Sequence, residues 1–392
     1  MLMEKVIVVR FGELWLKGKN RDVFVQMLRE SIESRISGIR NVRIVQKRDR
    51  FVIYAPKRAI NRIKAVLGYT FGISWYGEAY LVKNRIKEII DGVSEASKLD
   101  GFVGKSVRID VHRSFKQLNF TSKEVISAML SKKASLPFTM DRNSDISVFV
   151  NPDADYTYIH AEKIVGLGGM PYGSSGKAVA LVSGGIDSPV AAFYAMKRGL
   201  ELIYLHIHPY KDSKTALDNK MDALLSELSK YSGKSRVYLA PAYLFEAGII
   251  GTDPKIGVVL FKCFMMRLAE ILCEREKCDA IVTGESLAQV SSQTIRNLYI
   301  SSRMTDRFVF RPLIGFDKGE IVVVAKKIKI YEVSILKYRD VCAFNSKSPT
   351  TSASPYRIKK VYSERKMDEI AHETLSKADC LDFENGAPLE TL

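Results

Sequence analysis

Residues 183–188, Ser-Gly-Gly-Ile-Asp-Ser, are the stretch of this sequence best suited to chemistry. The apolar run at 178–182 reads as a short buried strand, and Pro189 favours a helix beginning close by. Between them, Ser183, Gly184 and Gly185 let the backbone come close to a bulky anion. Amides of the loop and helix start then point at that anion, and the helix dipole adds attraction. The pattern predicts a phosphate cradle. It is not one of the commoner nucleotide loops: G-x-x-x-x-G-K-[ST] is absent, as is a G-x-G-x-x-G with a ribose-binding acid.

Other reactive residue types are sparser. Lys17, Lys19 and Arg21 flank Gly18, where they would grip phosphates or simply line a solvated turn. His112, Arg113, Lys116 and Lys123 surround Phe115 and Phe120, an interleaving that suits a nucleic-acid surface or a half-buried strand-to-helix corner. His206 and His208 share one face of a strand, but no third metal ligand accompanies them, which favours a structural role. Five cysteines without a C-x-x-C argue against a disulfide framework or zinc, leaving each to act as a thiol.

These residues need a scaffold, and 392 residues allow two or three domains. Strands are expected near 3–10, 42–45 and 50–54 and helices at 20–36 and 58–67, the order of a small ferredoxin-like unit over residues 1–74. A second α+β unit is expected over 75–165, with helices at 84–97 and 122–131 and strands at 106–111, 144–150 and 156–164. The glycine-rich run 166–176 is the clearest boundary. Beyond it, strands at 178–182, 202–207, 236–240, 280–283 and 308–312 alternate with helices at 189–198, 216–231, 256–276 and 318–328. That is a doubly wound parallel sheet, an α/β fold that binds ligands at the carboxyl ends of its strands.

Formal charge is +16. An excess of eleven positive charges lies in residues 1–165, against five in the remainder. A basic front half suggests a polyanionic partner. No apolar run is long enough to span a bilayer and the N-terminus does not read as a signal peptide, so a cytoplasmic protein is expected.

The string Ser-Gly-Gly-x-Asp-Ser resembles the pyrophosphate loop of the ATP pyrophosphatases, which split ATP between the α and β phosphates to activate a carbonyl oxygen. There Asp187 would act through Mg²⁺ held jointly with phosphate oxygens. Four further stretches occur in order: Leu16-Lys-Gly-Lys-Asn-Arg21, Gly168-Gly-Met-Pro-Tyr-Gly173, Thr283-Gly-Glu-Ser-Leu-Ala-Gln-Val-Ser-Ser-Gln293 and Ser346-Lys-Ser-Pro-Thr350. Together they resemble the tRNA 4-thiouridine synthetases, or tRNA sulfurtransferases, in the form without a rhodanese-like domain. The resemblance covers nearly the whole chain. It implies a ferredoxin-like domain, an RNA-binding THUMP domain at 75–165 and a pyrophosphatase domain at 166–392. It also implies that ATP adenylates O4 of uridine 8 in tRNA and that sulfur then displaces AMP.

The resemblance also distributes roles. Leu181, Val182, Ser183, Gly184, Gly185, Ser188, His206, Ile207, Lys262, Gly284 and Gln293 would hold ATP. Lys318 would offset charge at the phosphoryl group, Asp317 capping its helix, and Cys342 would handle sulfur as a thiolate near Lys347 and Arg339. Lys17, Lys19, Arg21, Arg113, Lys116 and Lys123 would meet RNA. The family implies a homodimer and, by association, a part in making the thiamine thiazole. A C-x-x-C that some members carry near Lys262 is replaced here by Val258 and Phe261, with Cys263 offset. Sulfur would therefore come from a separate persulfide carrier, from sulfide, or through Cys380, placed in a polar tail. Other readings are a pyrophosphatase-type RNA enzyme that adds a non-sulfur nucleophile, and a non-catalytic RNA-binding protein.

Overall fold

Val6, Ile7, Val8 and Val9 are all buried, so the first strand is covered on both faces. It is the inner strand on which the front of the chain is built. In the computed structural model, residues 1–3, 97–105, 114, 116, 132–137, 140, 142, 161, 218, 340, 342–348 and 390–392 lie outside the description. The chain forms two compact units, Met1–Gly169 and Met170–Leu392.

In the front unit β1 (Glu4–Phe11), α1 (Arg21–Ile36), β2 (Arg43–Gln46), β3 (Arg50–Tyr54) and α2 (Ile60–Gly68) follow the expected order. Next comes β4 (Ile73–Lys83), a strand of eleven residues that the sequence reading does not contain. The second half supplies α3 (Ile86–Ala96), β5 (Val107–Val111), α4 (Ser122–Ser131), β6 (Phe138–Thr139), β7 (Ile146–Pro152), β8 (Tyr156–His160) and β9 (Ile164–Val165). The strands β1–β9 join one sheet of order β2-β3-β1-β4-β8-β7-β5-β6, with β9 on β4. β4 pairs with β1 on one edge and β8 on the other, so both α+β halves share a single sheet. The strand expected over 156–164 is broken in two. The connection crosses Gly77, where a Cβ would lie 2.3 Å from the Glu162 carbonyl oxygen.

The rear unit alternates as expected. Its elements are β10 (Lys177–Leu181), α5 (Asp187–Lys197), β11 (Glu201–His208), the short α6 (Ser213–Ala216), α7 (Asn219–Ser232), β12 (Lys234–Pro241), the short α8 (Tyr243–Gly248) and α9 (Gly257–Glu276). Then follow β13 (Ala280–Val282), α10 (Ile295–Ser302), β14 (Phe308–Phe310), α11 (Lys318–Lys327) and the short α12 (Tyr331–Ser334). Strand order is β14-β13-β10-β11-β12-β15-β16, parallel from β14 to β12. β10 thus lies where the winding reverses, with β11 on one side and β13 on the other. Open α/β sheets bind ligands at such a point. Below it, α9 is apolar nearly all round and sits in the main core with Leu205, Ile207, Phe264 and Leu268.

Two expectations about this unit change. α5 starts at Asp187, slightly ahead of Pro189, and the helix expected at 216–231 is α7, which begins at Asn219 after the separate short α6. The segment read as a polar tail is ordered structure. α13 (Pro355–Glu364) and α14 (Met367–Ser376) lead to β15 (Asp379–Glu384), antiparallel to β12, and to β16 (Ala387–Pro388). Cys380 is therefore a strand residue opposite Tyr238. Among the described residues no helix is long and apolar enough to cross a membrane.

Candidate active site

β10 ends at Leu181, and the loop 182–186 turns directly into α5. Ser183 and Ser188 close that loop: the Ser188 hydroxyl accepts from the Ser183 amide at 2.8 Å and lies 3.2 Å from the Ser183 hydroxyl. The Gly185 amide donates to Ser183 Oγ at 3.3 Å. Neither Gly184 nor Gly185 has a positive φ, so space, not backbone dihedral, asks for glycine here. A Cβ on Gly184 would stand 2.8 Å from the ring of Tyr338. The anticipated reason, close approach of an anion, thus has a second one beside it. The Tyr338 hydroxyl bridges His206 Nε2 at 2.8 Å and the Ala216 carbonyl at 3.1 Å. His206 Nδ1 in turn donates to the Val182 carbonyl at 2.9 Å.

Gly284, just beyond β13, marks the tightest approach. A Cβ there would meet the backbone of Ser188 at 2.6 Å, pressing against the first turn of α5. The stretch that follows brings side chains to the same place. Gln289 Nε2 donates to Asp187 Oδ2 at 2.9 Å, and Lys318 Nζ donates to Asp187 Oδ1 at 2.6 Å. Lys318 is the first residue of α11, set by a capping box in which Asp317 and Glu320 exchange hydrogen bonds at 2.9 Å each.

A cleft opens between these groups and α9. Leu181, Val182, Ser183, Asp187, Ser188, Ile207, Lys262, Gly284 and Gln293 line it, with Phe261, Met265 and Met266 forming an apolar wall. Lys262 is tied down: its ammonium donates to Glu285 Oε1 at 2.5 Å, while Arg311 donates to Oε2 at 2.8 Å and Thr283 to the same oxygen at 3.1 Å. Burial pushes the Glu285 carboxyl up, but Lys262 and Arg311 outweigh it and hold the group below its ordinary range. Gln293 is buried, with its Oε1 unpaired among the described residues. His206 is not among the lining residues; it braces the loop from the opposite face of β11, with His208 beside it at 6.4 Å between ring centres. Among the described residues no side chain hydrogen-bonds to the His208 ring, and no group of three potential metal ligands occurs.

Cys342 lies outside the described residues; its neighbour Val341 is buried in the core with Leu181 and Ile207. Of the other cysteines, Cys263, Cys273 and Cys278 are buried. Burial pushes Cys263 up to about 12. Cys273 is raised by its hydrogen bond with Cys278, which is lowered by the same contact while remaining buried. Cys380 is exposed on β15, and partial desolvation there raises its thiol.

In the front unit Lys17 and Lys19 are exposed on the turn Glu13–Asn20, where Gly18 takes φ +53°, and Arg21 opens α1. The Lys17 ammonium lies 5.0 Å from the centre of the Phe24 ring. Arg113 is committed to structure, donating to the Phe120 carbonyl at 2.6 Å, whereas Lys123 is exposed on α4. Lys116 is outside the described residues. Thr121 and Glu124 form the expected cap of α4. Gln289, Glu285, Arg311 and Tyr338 are the site residues that sequence reasoning did not assign. Glu285 and Gln289 stand inside a stretch that was singled out, and only spacing along a loop could have marked them.

Comparison with known proteins decides the family. Residues 6–77 match the ThiI ferredoxin-like domain, and residues 173–367 match the family described as thiamine biosynthesis protein (ThiI). A "Probable tRNA sulfurtransferase" of Geobacillus sp. (strain WCH70) is 34% identical over 90% of this chain and 89% of its own length. The chain belongs to the tRNA sulfurtransferase family. A relative from Finegoldia magna with the same description is 32% identical over 97% of this chain and 99% of its own. A crystal structure described as a 4-thiouridine synthetase–RNA complex with bound ATP is 30% identical, with a TM-score of 0.86 over 97% of this chain and 100% of that one. PH1313 from Pyrococcus horikoshii Ot3 shares the fold at 21% identity and a TM-score of 0.63. Family membership makes the chain an enzyme of tRNA sulfurtransferase type, and the cleft is its candidate active site.

Proposed function

We propose that the protein converts uridine 8 of tRNA to 4-thiouridine in two steps, adenylation by ATP and replacement of O4 by sulfur. The observation that carries this reading is the convergence of the 183–188 loop, Asp187 and Lys318 on one cleft, in a chain of this family. ATP would lay its adenine on the apolar wall formed by Ile207, Phe261, Met265 and Met266, near the Gln293 amide. The loop amides would take the triphosphate. The resemblance of the whole chain to a synthetase described with RNA and ATP bound supports both ligands.

The donor set at Asp187 fits magnesium. One carboxylate in the cleft, with lone pairs beyond those given to Lys318 and Gln289, would complete a shell with phosphate oxygens. Bound there, the ion would neutralise charge on the leaving pyrophosphate. Lys318 would turn from Asp187 toward the phosphoryl oxygens, while Glu285 and Arg311 keep Lys262 aimed at the nucleotide. Attack of the uracil O4 on the α-phosphorus breaks the α–β bridge, releases pyrophosphate and sheds the N3 proton. Hydrosulfide then adds at C4 and AMP leaves. The Cys342 thiolate would free that sulfur by attacking the inner sulfur of a persulfide donor, forming a disulfide with the donor as hydrosulfide leaves.

RNA contacts are assigned to the front unit through Lys17, Lys19, Arg21 and Lys123, with the ferredoxin-like part at 1–74 and the THUMP part at 75–165. A cytoplasmic homodimer and a role in thiamine thiazole synthesis complete the reading. Purified protein with tRNA, Mg-ATP and sulfide should yield a nucleoside heavier by the sulfur-for-oxygen difference. Asp187→Ala and Lys318→Ala should each abolish tRNA-dependent pyrophosphate release; normal release by either removes its assigned role. Cys342→Ala should keep pyrophosphate release and lose thiolation from a persulfide carrier.

A further inference from the structure

We propose that Gln289 is a positioning residue for Asp187, holding its carboxylate in register for the metal while Lys318 moves; this rests on the reading that Asp187 holds magnesium. Both Asp187 oxygens are engaged, but by partners of different kinds. Lys318 has a long side chain that is half exposed, at 52%, and must turn to the phosphates during reaction. Gln289 is partly buried on a turn that cannot easily follow.

That turn is strained and braced. Ala288 adopts φ +61°, a left-handed conformation costly for a residue with a Cβ. The Ala288 amide donates to the Gln293 carbonyl at 2.9 Å, and the Gln293 amide to the Val290 carbonyl at 2.8 Å. Asn297, fully buried on α10, donates to the Ser291 carbonyl at 2.9 Å and locks the turn from behind. The side-chain oxygen of Gln289, Oε1, is itself buried with no partner among the described residues. A strained turn and an orphaned acceptor are unfavourable for folding, yet together they aim one amide N–H at one carboxylate oxygen.

The test is calorimetric titration of Mg²⁺ into the full chain loaded with α,β-methylene-ATP, which cannot be split between α and β phosphates. Gln289→Leu keeps the volume and Gln289→Ala removes it. Both should weaken Mg²⁺ binding at least fivefold, with analogue affinity in EDTA within twofold of the parent and unchanged melting temperature. Asp187→Ala, run in parallel, should weaken Mg²⁺ binding further. Parental Mg²⁺ affinity in the Gln289 variants, beside a weakened Asp187→Ala, overturns the inference alone. Parental affinity in Asp187→Ala overturns the underlying reading as well. Equal loss of Mg²⁺ and analogue affinity would make the turn a wall of the nucleotide pocket and remove the positioning role.

Discussion

Glu285 shows how much of the cleft rests on one buried charge. It is 8% exposed and accepts from Lys262, Arg311 and Thr283. Removing Lys262 leaves a carboxylate with one cation where two had outweighed desolvation. Breaking a buried pair in this way costs on the order of 3 kcal/mol. Lys262→Ala should therefore lower stability in urea by about that amount and also weaken ATP binding; Glu285→Gln with Lys262→Ala should recover part of the stability. Loss of ATP affinity with parental stability would mean that Lys262 answers to the nucleotide alone. From the sequence, Lys262 was visible as a helix lysine at a position with a family match. Its partners were not, since Arg311 lies 26 residues beyond Glu285 and only the fold of β13 beside β14 brings them together.

Elements were the most legible level, and the failures have physical causes. The parallel strands were read to within a few residues because each is a short apolar run between turn signals. β4 escaped because Gly77 and Glu78 interrupt its pattern, while its pairing on both edges makes it a strand anyway. β15 escaped because three acidic residues stand in Asp379–Glu384, though Leu381 and Phe383 are buried. The contact of the 183–188 loop with the segment carrying Tyr338 could not be read at all, being a matter of tertiary approach. It predicts that Gly184→Ala costs about 1–3 kcal/mol by overpacking. In a double-mutant cycle, Gly184→Ala and Tyr338→Ala should not add, since the smaller ring site accepts the new methyl. Strict additivity would show that the loop relaxes independently. At the start of α11, Asp317→Ala should cost about 1 kcal/mol and slow pyrophosphate release less than Lys318→Ala does, because the cap sets the lysine's base and not its charge.

For the molecule as a whole, two buried histidines tie stability to pH. Burial lowers His160 in the front unit to about 3 and His208 in the rear unit to about 4, the latter helped by the neighbouring His206. An unfolded histidine titrates near 6.5, so below that pH the unfolded chain binds protons that the folded chain refuses. The stability contributed by both groups is whole above about 6.5 and drains away as pH falls toward 4 and then 3. His208 alone accounts for roughly 3 kcal/mol over that window. Melting should fall steeply between pH 6.5 and 4, and His208→Phe should flatten the fall for the rear unit only, a separation that scanning calorimetry can read. A slope unaffected by His208→Phe would place the acid sensitivity elsewhere. The antiparallel closure of the rear sheet carries a different consequence. β12 is made some 140 residues before β15, its partner across Lys234–Glu384. While the ribosome is still adding the intervening chain, Val237 and Leu239 sit on an uncapped border that invites a neighbouring nascent chain to zip onto it. Messages truncated just before codon 379 should therefore yield sticky, self-associating product, and β15 serves as a zip-fastener for the rear unit.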